Sequence, residues 1–369
     1  MPPPSKSHVV GFPVYSLSFT PSSFRVVLGG GGGSGRNGVK NAVLVYQIDP
    51  VTLDVKPLTD HQLEKGEDAC MSLAVHPKDK VIVAAANCTE DEIAGGLNKN
   101  CRIFCLKDNN TSIQQAKAFD SIGETSPDTY QKVTRFSADG KLLASGLTNG
   151  KLKVYSWPSC SLVEELTHPS DVIDIHFGPE NKVVSVSSQK LIVTSIGKAE
   201  QLCALDKPVF DENQPAEFRG ARFAASEANE VLLVIANAKN KKRSCLYKYT
   251  VGKECKLLGS KVLAPRPVTT FDISPNGELL AYATSDCGIT VLSTRTMKVL
   301  HTMPNAHGFP VTSLSFSPDS NIIASGSADT TCRLAVLPPK SSGVSSILLL
   351  LLAIFGAILA VYLGHEFSQ

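Results

Sequence analysis

The stretch FSADGKLLASGLTNGKLKVYSW, residues 136–157, contains the pattern that decides the fold. A turn of Ser, Ala, Asp and Gly leads into one apolar segment, and a second turn, Thr-Asn-Gly, leads into another. Turns of this composition between apolar segments are typical of antiparallel β-hairpins. The stretch therefore predicts consecutive antiparallel strands.

The same pattern recurs along the chain. Clear copies are ISPNGELLAYATSDCGITVLS from residue 273 and FSPDSNIIASGSADTTCRLAVL from residue 316, and weaker copies begin at residues 19, 75, 177 and 223. The seven units are 41 to 61 residues apart, compared with about 40–45 for WD repeats. This pattern predicts an all-β fold, a seven-bladed WD-repeat-like β-propeller of four-stranded blades. A strand near residues 9–12 is expected to complete the last blade.

The WD signature itself is degenerate. The positions of the Trp-Asp pair carry Tyr155-Ser156, Leu292-Ser293 and Ala335-Val336 in units three, six and seven. The buried polar network behind that tryptophan is therefore expected to be mostly absent. In unit seven, His307, Ser327 and Asp329 remain as candidates for it, and we interpret them as structural residues.

Composition and motifs argue against covalent catalysis and nucleic-acid binding. The 369 residues are 43% hydrophobic and have a net charge of +2, which gives no general attraction to nucleic acid. The eight histidines are dispersed, and no nucleophile elbow or HExxH motif occurs. The carboxylates at 67–68 and 90–92 lie in polar stretches and are interpreted as solvated surface. We expect neither an enzyme nor a nucleic-acid partner.

Ten cysteines are scattered along the chain without a CxxC pair. No histidine lies near them at zinc-ligand spacing. We expect reduced, mostly buried thiols that pack as small hydrophobic side chains, as in a reducing compartment.

The C-terminal region contains VSSILLLLLAIFGAILAVYL, residues 344–363, without a charge. A helix of this length spans about 30 Å, the hydrocarbon thickness of a bilayer. Arg333 and Lys340 precede the segment and no Lys or Arg follows it, which predicts that the preceding domain faces the cytosol. The expected organisation is a propeller at 1–338, a linker at 339–343, one transmembrane helix at 344–363 and a short lumenal tail at 364–369.

Residues 29–35, GGGGGSG, match GxGxxG through Gly30, Gly32 and Gly35. A dinucleotide site needs a helix after that loop, but a strand-like segment follows, and no Gly-Lys-Ser/Thr closes a P-loop. One alternative is a hairpin filler. The other is a structured protruding loop whose carbonyl oxygens converge on a hard cation. The second is favoured because ordering five consecutive glycines has a large entropic cost.

Three segments together resemble one family: residues 11–15 (GFPVY), 29–32 (GGGG) and 37–41 (NGVKN). With the propeller, a loop expected between the first two strands of blade one, and the membrane span, they resemble the Sec-twelve family, which includes prolactin regulatory element-binding protein. These are guanine-nucleotide exchange factors of the endoplasmic reticulum. Their partner is the small GTPase that initiates COPII coats.

The resemblance implies a role for each loop residue. Val39 occupies the position of an aliphatic residue that enters the GTPase, and Gly38 and Asn41 match the turn and polar positions. Potassium is the implied cofactor. The implied binding residues are Gly30, Gly31, Gly32 and Asn37, with Asn41 as a metal ligand. Here Val replaces the expected Ile, and the glycine run is slightly longer than in the family.

The resemblance also implies a single-pass protein of the endoplasmic reticulum membrane, with its N-terminal domain in the cytosol, that starts vesicle budding towards the Golgi. The alternative is a membrane-anchored propeller scaffold or cargo-exit factor that lacks exchange activity. An intact Gly38-Val39 with Asn41 favours exchange.

The expected topology leads to a first prediction. A glycosylation acceptor placed beyond Leu363 on a lengthened tail should be modified in microsomes, because that end would lie in the lumen. The natural acceptor patterns at Asn87 and Asn109 should stay unmodified. A glycan on Asn87 or Asn109, detected by a glycosidase-sensitive shift in electrophoretic mobility, would contradict this topology and show that the N-terminal domain faces the lumen.

Overall fold

The part of the chain that the computed structural model describes contains twenty-eight strands, one short α-helix and a 3-10 helix. That part is residues 4–338 apart from 22–23, 36–37, 79, 108–111, 199, 207, 209, 211–213 and 225–229. The strands form seven four-stranded antiparallel sheets, and this unit ends at Leu337. The predicted seven-bladed propeller is confirmed.

In chain order, the first fourteen strands are β1 (Ser5–Val9), β2 (Val14–Phe19), β3 (Arg25–Gly30), β4 (Ala42–Ile48), β5 (Val55–Gln62), β6 (Ser72–Val75), β7 (Val81–Ala85), β8 (Cys101–Lys107), β9 (Ser112–Phe119), β10 (Gln131–Phe136), β11 (Leu142–Leu147), β12 (Lys151–Ser156), β13 (Ser161–Thr167) and β14 (Asp174–Phe177). The other fourteen are β15 (Lys182–Val186), β16 (Lys190–Ser195), β17 (Glu200–Asp206), β18 (Ala216–Ala224), β19 (Val231–Ala238), β20 (Ser244–Thr250), β21 (Lys256–Ala264), β22 (Val268–Ile273), β23 (Leu279–Thr284), β24 (Ile289–Ser293), β25 (Val299–Met303), β26 (Val311–Phe316), β27 (Ile322–Ser327) and β28 (Thr331–Val336). The helix α1 (Glu90–Ala94) lies between β7 and β8, and a 3-10 helix covers Pro179–Asn181.

Each blade is a meander of consecutive strands. Blades one to six comprise β2–β5, β6–β9, β10–β13, β14–β17, β18–β21 and β22–β25, and blade seven comprises β26–β28 with β1. The first strand of each blade contacts the first strand of the next, from β2 round to β26 and back to β2. These seven strands therefore surround a central channel.

All seven predicted unit starts fall at the end of an innermost strand. Phe19, Val75, Phe136, Phe177, Ile273 and Phe316 are the last residues of their strands, and Phe223 is the penultimate residue of β18. In every blade the second strand runs antiparallel to the strand that ends there. The repeat therefore marks one structural position in every blade.

Ring closure joins the two ends of the propeller sequence. Strand β1 pairs with β28 from Ser5↔Ala335 to Val9↔Thr331. The predicted closing strand exists, but its location at residues 9–12 is wrong. Gly11, with φ +92°, and Pro13 interrupt the extended chain after β1, so residues 10–13 connect blade seven to blade one.

Apolar side chains between adjacent blades form the core. Between blades seven and one, Val14, Leu28, Ile322 and Leu334 are fully or almost fully buried in one cluster. Each such side chain contributes about 1.5–3 kcal/mol by leaving water. A blade cannot bury both of its faces alone, so these contacts hold the ring together.

The retained polar residues of blade seven form one hydrogen-bonded network. His307 Nε2 lies 2.8 Å from Ser325 Oγ, and its Nδ1 lies 3.1 Å from Asp329 Oδ2 and 2.9 Å from Thr331 Oγ1. Ser327 Oγ instead donates to the carbonyl of Phe309 at 2.9 Å. Burial lowers the pKa of His307, although the nearby carboxylate of Asp329 opposes this. These contacts tie the β25–β26 connection to the turn before β28, which is a structural role.

Two cysteines differ from the expectation that all ten are reduced. Cys203 and Cys255 form a disulfide with 5.8 Å between their Cα atoms. They are 52 residues apart, but Cys203 lies in the outer strand of blade four and Cys255 just before the outer strand of blade five. Adjacent blades therefore bring together residues whose spacing gave no sign of pairing.

The other eight cysteines are thiols outside the disulfide, and five of them are buried. Burial raises the pKa of Cys70 to about 11, so this thiol stays protonated and packs as a small apolar group.

Among the residues that the structure describes, none belongs to a helix that is long and apolar enough to cross a membrane. The predicted linker 339–343, span 344–363 and tail 364–369 lie outside the described residues.

The glycosylation pattern at Asn87 lies on a buried side chain. Asn87 Nδ2 donates to the carbonyl of Thr129 at 2.9 Å, and Oδ1 accepts from Asn98 Nδ2 at 3.3 Å. Folding therefore hides this acceptor, while Asn109 lies outside the described residues.

The blade-seven network leads to a stability prediction. Asp329→Ala removes the acceptor for Thr331 Oγ1–H, the main-chain N–H of Gly308 and His307, so the free energy of unfolding should fall by about 2–3 kcal/mol. The control Asp206→Ala changes an exposed carboxylate and should have little effect. Urea denaturation of both variants checks this, and equal effects would refute the structural role of Asp329.

Candidate functional site

The glycine-rich segment begins inside strand β3. Gly29 pairs with Val43 and Gly30 with Ala42 on β4, and residues 31–41 form the connection. The loop thus joins the second and third strands of blade one, and the expected position between the first two strands is wrong. Strand β2 precedes β3 in the same sheet, so β3 is already the second strand of the blade.

Two glycines at the loop base permit main-chain contacts that a side chain would block. A Cβ on Gly30 would lie 2.0 Å from the carbonyl oxygen of Pro13. A Cβ on Gly31, which has φ +144°, would lie 2.0 Å from Asn41 Oδ1. The main-chain N–H of Gly31 donates to Pro13 at 3.0 Å. These glycines are needed for close packing, and this explains part of the run without reference to any ligand.

Asn41 closes the loop from its other end. Its buried amide accepts the N–H of Gly33 at 3.0 Å and donates to the carbonyl of Gly33 at 2.9 Å and to that of Glu67 at 2.7 Å. Its own carbonyl accepts from the N–H of Leu63 at 2.8 Å. Asn41 therefore joins the two limbs of the loop to each other and to the connection between blades one and two.

A buried ion pair supports this connection. Arg102, on β8 of blade two, donates to both carboxylate oxygens of Glu67 at 2.9 and 2.6 Å. Glu67 also accepts the N–H of Glu64 at 2.7 Å. Burial by itself lowers the pKa of Arg102. The hydrogen bonds and the charge attraction to Glu67 raise this pKa by more than burial lowers it, so the net shift is upward. We call Asn41, Glu67 and Arg102 the loop brace.

The interpretation of Glu67 as solvated surface is therefore wrong, because Glu67 is buried. Its partner lies 35 residues further along the chain, and no local signal links the two. Asp68 is half-buried and accepts the N–H of Ala69 at 2.7 Å. Residues 90–92 are exposed, as predicted.

The outer part of the loop presents Val39 to solvent. Gly38 has φ +77°, and a Cβ there would meet nothing within 4 Å. Val39 is 37% exposed, and Lys40 is exposed as well. The structure thus separates the predicted site residues: Gly30, Gly31 and Asn41 lie at the base, and Gly38 and Val39 lie at the exposed end. Asn37 lies outside the described residues.

The chemistry of the loop base fits a hard monovalent cation. The described residues include no group of three His, Cys, Asp or Glu side chains that could hold a metal, so ligands would be main-chain and amide oxygens. The side-chain ligand atom of Asn41 would be Oδ1, which already accepts the N–H of Gly33 and keeps a second lone pair. Gly31 approaches this atom closely, since a Cβ on Gly31 would lie 2.0 Å from Asn41 Oδ1. Oxygen ligands suit a hard cation, and the potassium site stays a prediction.

Several exposed apolar side chains lie on the same face of the propeller as the loop. In a meander, the connections after the second and fourth strands emerge at the same end. That end carries Val9 (77% exposed), Val39, Leu97 (44%) and Phe309 (61%), all on or beside blades seven, one and two. At the opposite end, the described exposed large apolar residue is Val51 (84%). The others lie on the outer strands β13, β21 and β25. We call the first group the loop-side apolar patch.

The loop base leads to a prediction with a matched control. Gly31→Ala should displace Asn41 and break its bonds to Gly33, which lowers the free energy of unfolding by about 1–3 kcal/mol. Gly35→Ala should be tolerated, because Gly35 has nothing within 4 Å of a Cβ. Hydrogen exchange at the amide of Gly33 should accelerate in Gly31→Ala alone. Unchanged exchange there would contradict the role of Asn41 as the loop's closing residue.

Comparison with known proteins places these features in a family context. The model of the WD domain, G-beta repeat, matches residues 297–334, which cover the outer strand of blade six and most of blade seven. SEC12-like protein 2 of Arabidopsis thaliana is 29% identical over 83% of this chain and 74% of its own length. Guanine nucleotide-exchange factor SEC12 of Candida glabrata is 26% identical over 90% of this chain and 72% of its own.

The guanine nucleotide-exchange factor SEC12 of Rattus norvegicus is 22% identical over 92% of both chains. The predicted resemblance is confirmed: this chain is a WD-repeat propeller that is similar, over most of its length, to proteins named SEC12 and SEC12-like.

Proposed function

We propose that this protein is a guanine-nucleotide exchange factor for a small GTPase and that its glycine-rich loop promotes the release of GDP. The observation that carries this proposal is the loop itself. Its base is closed by hydrogen bonds of the buried Asn41 side chain, while its outer part exposes the apolar side chain of Val39. Relatives named as exchange factors support the same activity.

The physical requirement on an exchange factor is differential binding. It must bind the nucleotide-free GTPase more tightly than the nucleotide-bound form, and by linkage the nucleotide then weakens the binding of the factor. An apolar side chain inserted where it disfavours nucleotide and magnesium meets this requirement. Val39 would be that side chain, and no covalent step is needed.

The loop brace makes such an insertion efficient. An ordered loop loses little conformational entropy when the GTPase binds, and Asn41 already ties both limbs of the loop to Glu67. Arg102 holds Glu67 in place through two hydrogen bonds from the neighbouring blade. The main-chain position of the loop base is therefore set by the propeller and not by the loop alone.

Potassium would add order to the remaining part of the loop. The residues that would hold it are Asn41, through Oδ1, with main-chain oxygens of Gly30, Gly31, Gly32 and Asn37. Carbonyl oxygens that point towards one another repel. The positive charge of a bound potassium ion would offset this repulsion and hold them together.

The loop-side apolar patch would extend the contact with the GTPase. Phe309 and Val9 lie beside blade seven and Leu97 lies in blade two, so they flank the loop on both sides. Exposed apolar groups that gather at one end of a soluble domain are typical of protein-binding surfaces. We propose that this end of the propeller receives the switch segments of the GTPase while Val39 enters it.

The site of action in our proposal is the endoplasmic reticulum membrane, and the partner is the GTPase that initiates COPII coats. The support is the resemblance carried by residues 11–15, 29–32 and 37–41 together with the apolar segment 344–363. The anchor would concentrate exchange activity on one membrane, where coat assembly and export towards the Golgi begin.

Val39 provides the direct test of exchange. Val39→Asp should nearly abolish stimulated GDP release, because a carboxylate would have to lose its water against the GTPase. Val39→Ala should weaken the stimulation by about 1–2 kcal/mol of transition-state stabilisation. Release of a fluorescent GDP analogue from the purified GTPase measures both effects.

The matched control is Val51→Asp. Val51 is also an exposed valine in a connection within blade one, but it lies at the opposite end of the propeller. Its substitution should leave release unchanged, and neither valine should affect the melting temperature much. Rates within twofold of wild type for Val39→Asp would show that the loop is a filler. Binding of the GTPase without any stimulation by the wild-type protein would indicate the scaffold alternative.

A further inference from the structure

The central channel contains a ring of seven equivalent positions, one from each innermost strand. Each is the residue directly before the apolar residue that marks the repeat, and the seven are Ser18, Ala74, Arg135, His176, Arg222, Asp272 and Ser315. All seven line one cavity of about 1070 Å³. Large polar side chains occupy blades three to six, and small ones occupy blades seven, one and two. The ring is therefore asymmetric. The small side chains of blades seven, one and two leave open volume next to the large polar side chains of blades three to six.

Three of the described acidic residues line the channel. Glu217 pairs with Lys239 at 3.5 Å, and the other two, Asp174 and Asp272, bind one arginine. Arg222 is buried and donates to Asp174, to Asp272 at 3.4 Å and to the carbonyl of Phe271 at 3.3 Å. Its guanidinium also lies 4.6 Å from the centre of the Phe271 ring. These partners account for its charge and for most of its N–H groups.

Arg135 has no such carboxylate partner among the described residues. Within the described part of the chain, its one side-chain hydrogen bond goes to the carbonyl of Thr134 at 3.2 Å. Burial and the nearby charge of Arg222 lower the pKa of Arg135, and Asp174 and Asp272 only partly oppose this. Arg135 therefore brings a half-buried cation and several unused donors to the channel.

His176, on the next blade, adds a neutral donor. The main-chain N–H of Phe223 donates to His176 Nδ1 at 3.1 Å, so the ring proton lies on Nε2. Burial, together with the charges of Arg222 and Arg135, lowers the pKa of His176 well below its usual value. At neutral pH the imidazole is therefore uncharged and can donate from Nε2 to a group in the channel.

Arg219 is a further channel arginine that has no hydrogen bond to a described carboxylate. Arg219, at a β-bulge of β18, donates to the main-chain carbonyl of Thr269, and no described carboxylate bonds to it. Lys132 and Glu217 also line the cavity, but each pairs with a residue of opposite charge, Asp171 and Lys239. The remaining charged side chains of the lining are three arginines, Arg135, Arg219 and Arg222, and two acids, Asp174 and Asp272, so this group has a net charge of +1. Buried or half-buried cations without a counter-ion are costly, and an anion in the open volume would remove that cost.

We propose that the central channel is a binding site for a phosphate group, held by the guanidinium of Arg135 and the Nε2–H of His176 and attracted by the charge of Arg219. A guanidinium offers two parallel N–H groups to a phosphate, and the imidazole offers a third donor from the neighbouring blade. The cavity is large enough for a phosphorylated small molecule as well as for inorganic phosphate. This site is separate from the glycine-rich loop.

The test uses the purified full chain and inorganic phosphate. Because a ligand that binds the folded state raises its stability, the melting temperature should increase saturably with phosphate at constant ionic strength, with sodium chloride as the balancing salt. Glycerol 1-phosphate in a parallel titration distinguishes a free phosphate from a phosphate monoester. Sodium acetate in a third titration tests whether a carboxylate serves equally well.

Two variants distinguish a built phosphate site from general charge attraction in the channel. Arg135→Gln should weaken phosphate binding by about 10- to 100-fold. In phosphate-free chloride its melting temperature should be equal to or above that of the wild type, since the substitution removes a cation without a counter-ion. Lys132→Gln is the matched control, because Lys132 lines the same cavity but pairs with Asp171 at 3.1 Å. It should keep the phosphate response.

Three results would overturn the proposal. One is a wild-type melting temperature that changes no more with either phosphate compound than with chloride. Another is an equal response to acetate, which would assign the site to carboxylates. The third is an equal loss of response in Arg135→Gln and Lys132→Gln, which would indicate general charge attraction at the channel and not a built site. None of these readouts depends on nucleotide exchange.

Discussion

The closure of the ring is the constraint on which the rest of the structure depends. Each blade is a four-stranded sheet with two faces to bury, and only the neighbouring blades can cover them. The antiparallel pairing of β1 with β28 joins the first and last parts of the propeller sequence, and the cluster around Val14, Leu28, Ile322 and Leu334 packs the same junction. Because the closing contacts lie beside blade one, the strands that carry the glycine-rich loop start from a fixed position.

The glycine-rich loop is exposed at its outer end but is held in place by contacts at its base. Its outer residues, Gly38 to Lys40, face solvent, whereas its base is held by hydrogen bonds of the buried Asn41 side chain to Gly33 and Glu67. The ion pair between Glu67 and Arg102 connects the loop base to blade two, since Arg102 lies on β8 and holds Glu67 in position. Removing either charge would leave the other buried and unpaired, which is far more costly than losing a surface ion pair. Order at the loop base therefore depends on two blades as well as on the close packing that Gly30 and Gly31 permit.

The two ends and the centre of the propeller have different chemistry. The loop end gathers Val9, Val39, Leu97 and Phe309 around blades seven, one and two. In the channel the same blades contribute the small residues Ser18, Ala74 and Ser315, and the charged residues come from blades three to six. A repeat of one structural unit thus produces an asymmetric molecule, because equivalent positions carry different side chains. This asymmetry permits two separate sites, one for a protein partner and one for a phosphate group.

The sequence by itself determined the number of blades and their boundaries. The apolar residue before each turn, such as Phe136 or Phe316, recurs because each blade needs it at the same place, and a local pattern of strand and turn is readable without tertiary contacts. The glycine-rich loop, Val39 and Asn41 were also identifiable from short segments. What the tertiary structure alone decided were pairs distant in sequence: β1 with β28, Cys203 with Cys255, Asn41 with Glu67, and Glu67 with Arg102. The burial of Glu67 and the unequal partners of Arg135 and Arg222 depend on which blades lie side by side. Such contacts leave no periodic signal in the chain, because packing in three dimensions creates them.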